Sequence, residues 1–236
     1  MIKMVKNKII SGASKLVMAA LLIISCNQEK NALIFEEVDG IVAVEAEHYY
    51  EQTLDEVRKW YIIKDGEEAN ILPDPDPGHA SAASGKAYIE LLPDTRVTHD
   101  DELVNDENFS YEAGKMAIIS YQVYFNTPGK YYVWARAFST GTEDNGVHVG
   151  INDTWPESGK RMQWIEKNKW AWESKQRTEQ NHLGEPELLY LEVPEKGLHK
   201  ISFSMREDGF ELDKWIMSLK YEKPEGEGIP ERIFTK

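Results

Sequence analysis

The residues best suited to chemistry in this 236-residue chain lie between Gly141 and Arg177. That stretch holds four of the seven tryptophans, Trp155, Trp164, Trp170 and Trp172. Asn145, His148, Arg161, Gln163, Glu173 and Arg177 stand among them. An indole is costly to leave in water, and aromatic rings rimmed by hydrogen-bonding groups suit the C–H faces and hydroxyls of a sugar. Glycine, proline, asparagine and aspartate interrupt any apolar period, so most of the stretch reads as loop. It is either a ligand surface or a satellite core beneath a long loop.

Covalent chemistry is less well supported. With 41 acidic residues, carboxylate pairs arise by chance and do not define a glycosidase dyad. The six histidines show no metal-ligand spacing, and neither a G-x-S-x-G elbow nor a phosphate-binding loop is present. Tyr132, Arg136 and His148 could be assembled into a polysaccharide-lyase site, but their spacing does not require it. His148, in a valine-rich strand, reads as a satisfied, half-buried side chain. The expectation is a protein without a catalytic site.

The elements that must position these residues are β-strands. Ile41 to Glu47 alternates from Val42 onward, and Ala87 to Leu92 is a short strand. Strands are also predicted over 117–125, 131–138, 147–151, 188–193, 198–205 and 210–219. In the second of these, Tyr131, Val133, Ala135 and Ala137 share one face, and Tyr132, Trp134, Arg136 and Phe138 the other. Residues 49–60 are ambiguous between helix and strand. Residues 67–85 and 93–114 read as loop. About eight short strands with turn signals between them predict an all-β antiparallel sandwich of jelly-roll type, with function on its loops.

The ends read differently. Lys3, Lys6, Lys8 and Lys15 precede an apolar run, Leu16 to Ile24, too short to span a bilayer. Ile23-Ile24-Ser25-Cys26 resembles a bacterial lipobox, and Cys26 is the single cysteine. The expected division is a lipoprotein signal peptide over 1–25 and a lipidated tether over 26–35, followed by the sandwich over 36–221 and a charged tail over 222–236. Acylation of Cys26 would hold the domain on the bacterial envelope, at the outer membrane or cell surface. The whole chain carries −14, and removing the four signal lysines leaves −18. Such a charge repels nucleic acid and favours cations.

Taken in order, several segments resemble the carbohydrate-binding modules of families 6 and 35, and the related C-terminal domain of family 115 glycoside hydrolases. These are VEAEH at Val44 to His48, PGKYYVWARA at Pro128 to Ala137, KWAWES at Lys169 to Ser174, and the run from Lys196 to Met217. The resemblance covers about Val42 to Tyr221 and implies a galactose-binding-like sandwich. It implies a structural calcium on Glu45, Glu47 and Asp213, which suits a hard, oxygen-seeking cation. It places Trp170 and Trp172 as rings stacking on a sugar, and puts Glu211 where such modules carry an asparagine. Asn145, Arg161 and Arg177 are candidate hydrogen-bonding partners. The function expected is polysaccharide or oligosaccharide binding beside neighbouring glycan-degrading enzymes or transporters. A structural or adhesion lipoprotein docking a protein partner is the alternative; a concave cleft would favour sugar, a flat apolar patch protein.

Overall fold

The computed structural model describes residues 32–67 and 69–235. The signal sequence, Cys26 and the first part of the tether lie outside them. Among the described residues the chain forms fifteen strands: β1 Ile34–Glu36, β2 Ile41–Glu45, β3 Glu51–Thr53, β4 Lys59–Lys64, β5 Ala87–Leu92, β6 Ile118–Phe125, β7 Gly129–Phe138, β8 Gly146–Ile151, β9 Met162–Gln163, β10 Ala171–Glu173, β11 Lys175–Gln176, β12 Glu185–Pro186, β13 Tyr190–Val193, β14 Gly197–Met205 and β15 Glu211–Ser218. They build two sheets packed as a β-sandwich. The eight-stranded sheet runs β1-β6-β14-β8-β9-β11-β12, with β3 also paired to β6. The seven-stranded sheet runs β10-β7-β15-β5-β4, with β2 on β15 and β13 on β7. Only β1 with β6 is parallel among these pairs.

The period of two dictates what fills the space between the sheets. From β7 the predicted face, Tyr131, Val133, Ala135 and Ala137, is fully buried. It meets Ile119, Tyr121, Val123 and Phe125 of β6 across one hydrophobic core, with Val147, Val149 and Phe203 from β8 and β14. The turn at Thr127-Pro128-Gly129 carries the chain from one sheet to the other. The buried Glu37 carboxylate secures that corner, accepting the N–H groups of Asn126 and Thr127 at 2.8 Å each.

A bulge in β15 sets the second sheet. The pairing with β7 shifts between Leu212 and Lys214, leaving Asp213 as the extra residue. Leu212 and Trp215 therefore both enter the core, whereas unbroken alternation would have turned Trp215 outward. Asp213 and Lys214 both turn to the outer face, where each reaches Ser84.

Two expectations about the ends need correction. Phe35, assigned to the tether, is the centre of β1 and fully buried. Residues 222–235 are no free tail: the Phe234 N–H donates to the Ile34 carbonyl at 2.8 Å, the Phe234 ring stacks on Tyr124, and Glu231 accepts the Glu45 N–H. Each contact supplies the first strands with pairing they would otherwise lack at a sheet edge. No helix among the described residues is long and apolar enough to cross a membrane.

Candidate functional site

The four tryptophans of the central stretch go to four different places. Trp164 is 1% exposed in the main core, edge-on to Phe210, and donates to the Ala171 carbonyl at 3.0 Å. Trp155 lies over Gly114 and Gly150, where any Cβ would collide with its ring. Trp172 is 3% exposed in a satellite cluster with Ala43, Trp134 and Ile216, and donates to the Gly226 carbonyl at 2.9 Å. It has no free face for a sugar. Trp170 is half-buried against Tyr88 and Phe138, its N–H on the His79 carbonyl at 3.3 Å. Both indoles assigned to stacking thus cover the outer face of the seven-stranded sheet. Alternation sends bulky residues such as Trp134 and Phe138 to that face, and they need a lid.

Glu211 also lies under that lid. It pairs directly opposite Glu90 across β15 and β5, and its carboxyl meets His79 Nδ1 at 2.8 Å. Burial pushes the Glu211 carboxyl well up, with help from Asp76 and Asp144. Burial also pushes the His79 imidazole down. Burial thus disfavours the charged form of both partners in this contact. Glu211 is 2% exposed and committed to the fold, so it is not free to receive a hydroxyl. Glu90 is raised from 4.5 to about 9 by burial and by Glu211.

The expected calcium ligands lie farther along the same face. The strand ends at Glu45, and a 3-10 turn over Ala46–His48 follows, so Glu45 and Glu47 do not simply alternate. Asp213 is held by the Arg136 guanidinium and accepts the Ser84 N–H at 2.8 Å. Lys214 Nζ stands 2.7 Å from Glu45 Oε1. Two cations of the chain thus offset two of the three acids. Oε2 of Glu45 and Oε2 of Glu47 are buried without a hydrogen bond. Burial, with a contribution from Glu45, raises Glu47 to about 7. Among the described residues no three acidic, histidine or cysteine side chains converge as a metal site.

Arg161 and Arg177 are brought together elsewhere. The β9–β11 ladder pairs Met162 with Gln176 and extends one step further, the Arg177 N–H donating to the Arg161 carbonyl at 2.8 Å. Residues directly opposite share a face, so both guanidiniums project from the outer face of the eight-stranded sheet. Arg206, next after β14, lies over Gly146, and a Cβ there would run into its guanidinium. With Arg96 from the loop after β5, these line a cleft of 690 Å³. Four of the chain's seven arginines therefore meet in one place, despite an overall negative charge.

The far wall is the loop before β6. Its Phe109 ring is buried under the Arg206 guanidinium at 5.0 Å, and packs edge-on against Tyr111, which is 65% exposed. His148 ties this wall to the floor. Its Nδ1 accepts the Arg161 N–H at 3.0 Å, so its Nε2 carries the proton and faces the Ser110 carbonyl at 3.3 Å. Burial, aided by Arg206 and Arg161, holds it neutral, at about 3.

The charges are unevenly matched. Arg206 pairs with Glu207, Arg96 with Glu143, and Arg161 with Glu157, which is largely exposed. Arg177 has no carboxylate partner among the described residues, and burial together with Arg206 lowers its pKa. Asn145 is a support rather than a ligand group: it is 5% exposed, donates its N–H to Glu207 at 2.8 Å and accepts from Gln163 through its side chain. Of the six candidate ligand residues, then, only Arg161 and Arg177 reach the cleft. Tyr111 and Arg96 were missed, because their polar, acidic loop carries no periodicity.

No family model matches the chain. It is 56% identical over 187 residues to a protein of Formosa agariphila described as "Uncharacterized protein P23". The match covers 79% of this chain and 45% of that protein, so the chain spans under half of its relative's length. Among solved structures it is similar to a Podospora anserina β-(1,4)-mannanase with a family 35 carbohydrate-binding module, at a TM-score of 0.43 and 14% identity over 80% of this chain and 29% of that one. A family 35 carbohydrate-binding module from Clostridium thermocellum gives 0.36 and 12%, over 75% and 96%. A Paenibacillus xanthan lyase gives 0.40 and 13%, over 75% and 13%.

The buried carboxyl pair has a measurable consequence. Folded Glu90 keeps a proton between its ordinary value of 4.5 and about 9, while the unfolded chain releases it. Its contribution to stability is complete below that window and is lost as pH rises through it. Glu90→Gln keeps an acceptor for the Tyr88 hydroxyl, which lies 3.2 Å from Glu90 Oε2. The variant should melt higher than the parent at pH 8.5, by roughly 2–4 °C, and at the same temperature at pH 4.5. A variant that melts lower at both pH values would show that Glu90 is charged in the fold.

Proposed function

We propose that this protein binds polysaccharide without cleaving it, in the cleft on the outer face of the eight-stranded sheet. The observation that carries the reading is the meeting of an exposed ring, Tyr111, with a group of guanidiniums in a concave site of 690 Å³. The ring offers a face to sugar C–H groups, and the guanidiniums, with the Thr178 hydroxyl, offer directed hydrogen bonds. A protein-docking surface would be flatter and more apolar. The strongly raised carboxyls lie at the other sheet, Glu211 against His79 and Glu90 on the wall of a second cleft with Asp74 and Asp76. Of the carboxylates lining the cleft, Glu143 and Glu207 are each held by an arginine, and Glu179 stands at its edge.

On a glycan array spanning plant, algal and host structures, the protein should bind a defined subset. Tyr111→Ala should weaken that binding roughly tenfold, by removing a stacking face. A parent that binds nothing on the array overturns the reading.

The proposal includes a structural calcium. The fit rests on the unbonded, buried Oε2 atoms of Glu45 and Glu47, with Asp213 left to Arg136. A cation there would relieve the repulsion between the two glutamates and clip the first strand to the loop around Ser84. Melting with EDTA should fall several degrees below melting in calcium buffer; superimposable curves remove calcium from the account.

The proposal also includes export and acylation at Cys26, which would display the cleft on the bacterial envelope beside glycan-degrading enzymes or transporters. Many copies on one surface raise avidity beyond that of a single site. Mass spectrometry of the membrane fraction should find a diacylglyceryl group on an N-terminal Cys26. A chain beginning at Met1 in the soluble fraction would exclude the anchor.

A further inference from the structure

The geometry points to an anionic substituent, a sulfate ester or a carboxylate on the sugar, as the group that the Arg161–Arg177 pair receives. This inference rests on the carbohydrate-binding reading above and names the chemical class of the ligand.

Four observations carry it. Arg161 and Arg177 face each other across the β9–β11 ladder. Like charges opposite one another in a sheet are unfavourable unless a counter-charge sits between them. Arg177 has no such partner among the described residues, although acids outnumber bases 41 to 27 in the chain. Arg161 Nε is buried and makes no hydrogen bond, and Glu157, the carboxylate on its Nη2, is largely exposed. Finally, His148 fixes the Arg161 backbone and the wall that carries Tyr111, so ring and guanidiniums are held at a set separation.

A planar guanidinium binds oxyanions through paired N–H groups in a fixed fork, and two such forks side by side match the several oxygens of a sulfate or a carboxylate. A neutral sugar would leave Arg177 partly desolvated, with the field of Glu207, itself paired to Arg206, as its opposing charge. An anionic one would supply a direct counter-charge, and Tyr111 would take the ring that bears it. Sulfate and carboxylate share this chemistry and are separated by experiment.

The test compares the full-length protein with Arg177→Gln and Arg177→Lys on an array of sulfated, uronate-bearing and neutral oligosaccharides, and on the uronate-bearing ones after carboxyl reduction. Melting in sodium sulfate against sodium chloride at equal ionic strength gives a second readout. The parent should bind anionic glycans at least tenfold more tightly than neutral counterparts, and Arg177→Gln should abolish that preference while leaving the fold intact. Arg177→Lys should restore part of it, since it keeps the charge and loses the fork. Sulfate should raise the melting temperature of the parent more than that of Arg177→Gln. Binding to sulfated glycans alone assigns a sulfate ester, and loss on carboxyl reduction assigns a uronate; either supports the inference. Equal binding of neutral glycans, unaffected by Arg177→Gln, overturns the anion site and leaves the carbohydrate-binding reading standing. No binding to any glycan overturns both.

Discussion

The register of β14, β8, β9 and β11 is the constraint on which the rest of the site depends. Met205, Val147 and Met162 stand in one row and are wholly buried in the sandwich core. Because side chains alternate with a period of two, burying that row forces its neighbours outward: Arg206, Gly146, Arg161 and, across the last pair, Arg177. A slip of one residue would put guanidiniums into the core and methionines into the cleft. The position of the arginines is therefore set by the hydrophobic effect acting on other residues. Gly146 completes the arrangement, since only a residue without a side chain lets Arg206 lie across β8.

The same logic governs the opposite face, with a different outcome. The bulge at Asp213 turns two charged residues outward together, and their partners come from neighbouring elements: Arg136 from β7, and Glu45 from the end of β2. His79 then closes over Glu211, with Trp170 beside it, and Glu90 stands opposite Glu211 on β5. Buried charge is tolerated only when paired or neutralised, and both solutions occur here, ion pairs at Asp213 and Glu45 and a retained proton at Glu90. Apart from Oε2 of Glu45 and of Glu47, that face has largely spent its polar groups on one another. The arginine cleft has not, and Arg177 is the residue left over.

Core residues were legible in the sequence because alternation is a local signal. The two faces of β7 follow directly from it, and Ala87–Leu92 forms with the predicted bounds. Strands of two or three residues, such as β9 and β11, are too short to show a period, and the decisive arginines, Arg161 and Arg177, flank them. The tryptophans misled for a physical reason. An indole is as costly to expose on an outer sheet face as on a loop, and composition cannot tell whether the covering partner is a ligand or the chain itself. Trp172 is covered by Trp134, Ile216 and the segment at Gly226, in the stretch that its composition marks as a charged tail. The alternative that stood beside the sugar surface, a satellite core, describes where that indole lies.

The large negative charge and the arginine cleft gain meaning together. At physiological ionic strength a charge is felt over about 8 Å. A uniformly charged polyanion approaching the protein therefore meets repulsion from most of its surface before any guanidinium can act. A glycan that places one anionic group in the cleft and presents hydroxyls elsewhere avoids that cost. On the proposed reading, the surrounding acids would work as a filter against indiscriminate binding, and the arginines as the exception to it. Within the cleft the neutral His148 serves the same end. A protonated imidazole behind Arg161 would add charge without direction, whereas the neutral ring contributes one acceptor and one donor and aligns the two walls. Selectivity for an anionic glycan would rest on where charge is withheld as much as on where it is placed.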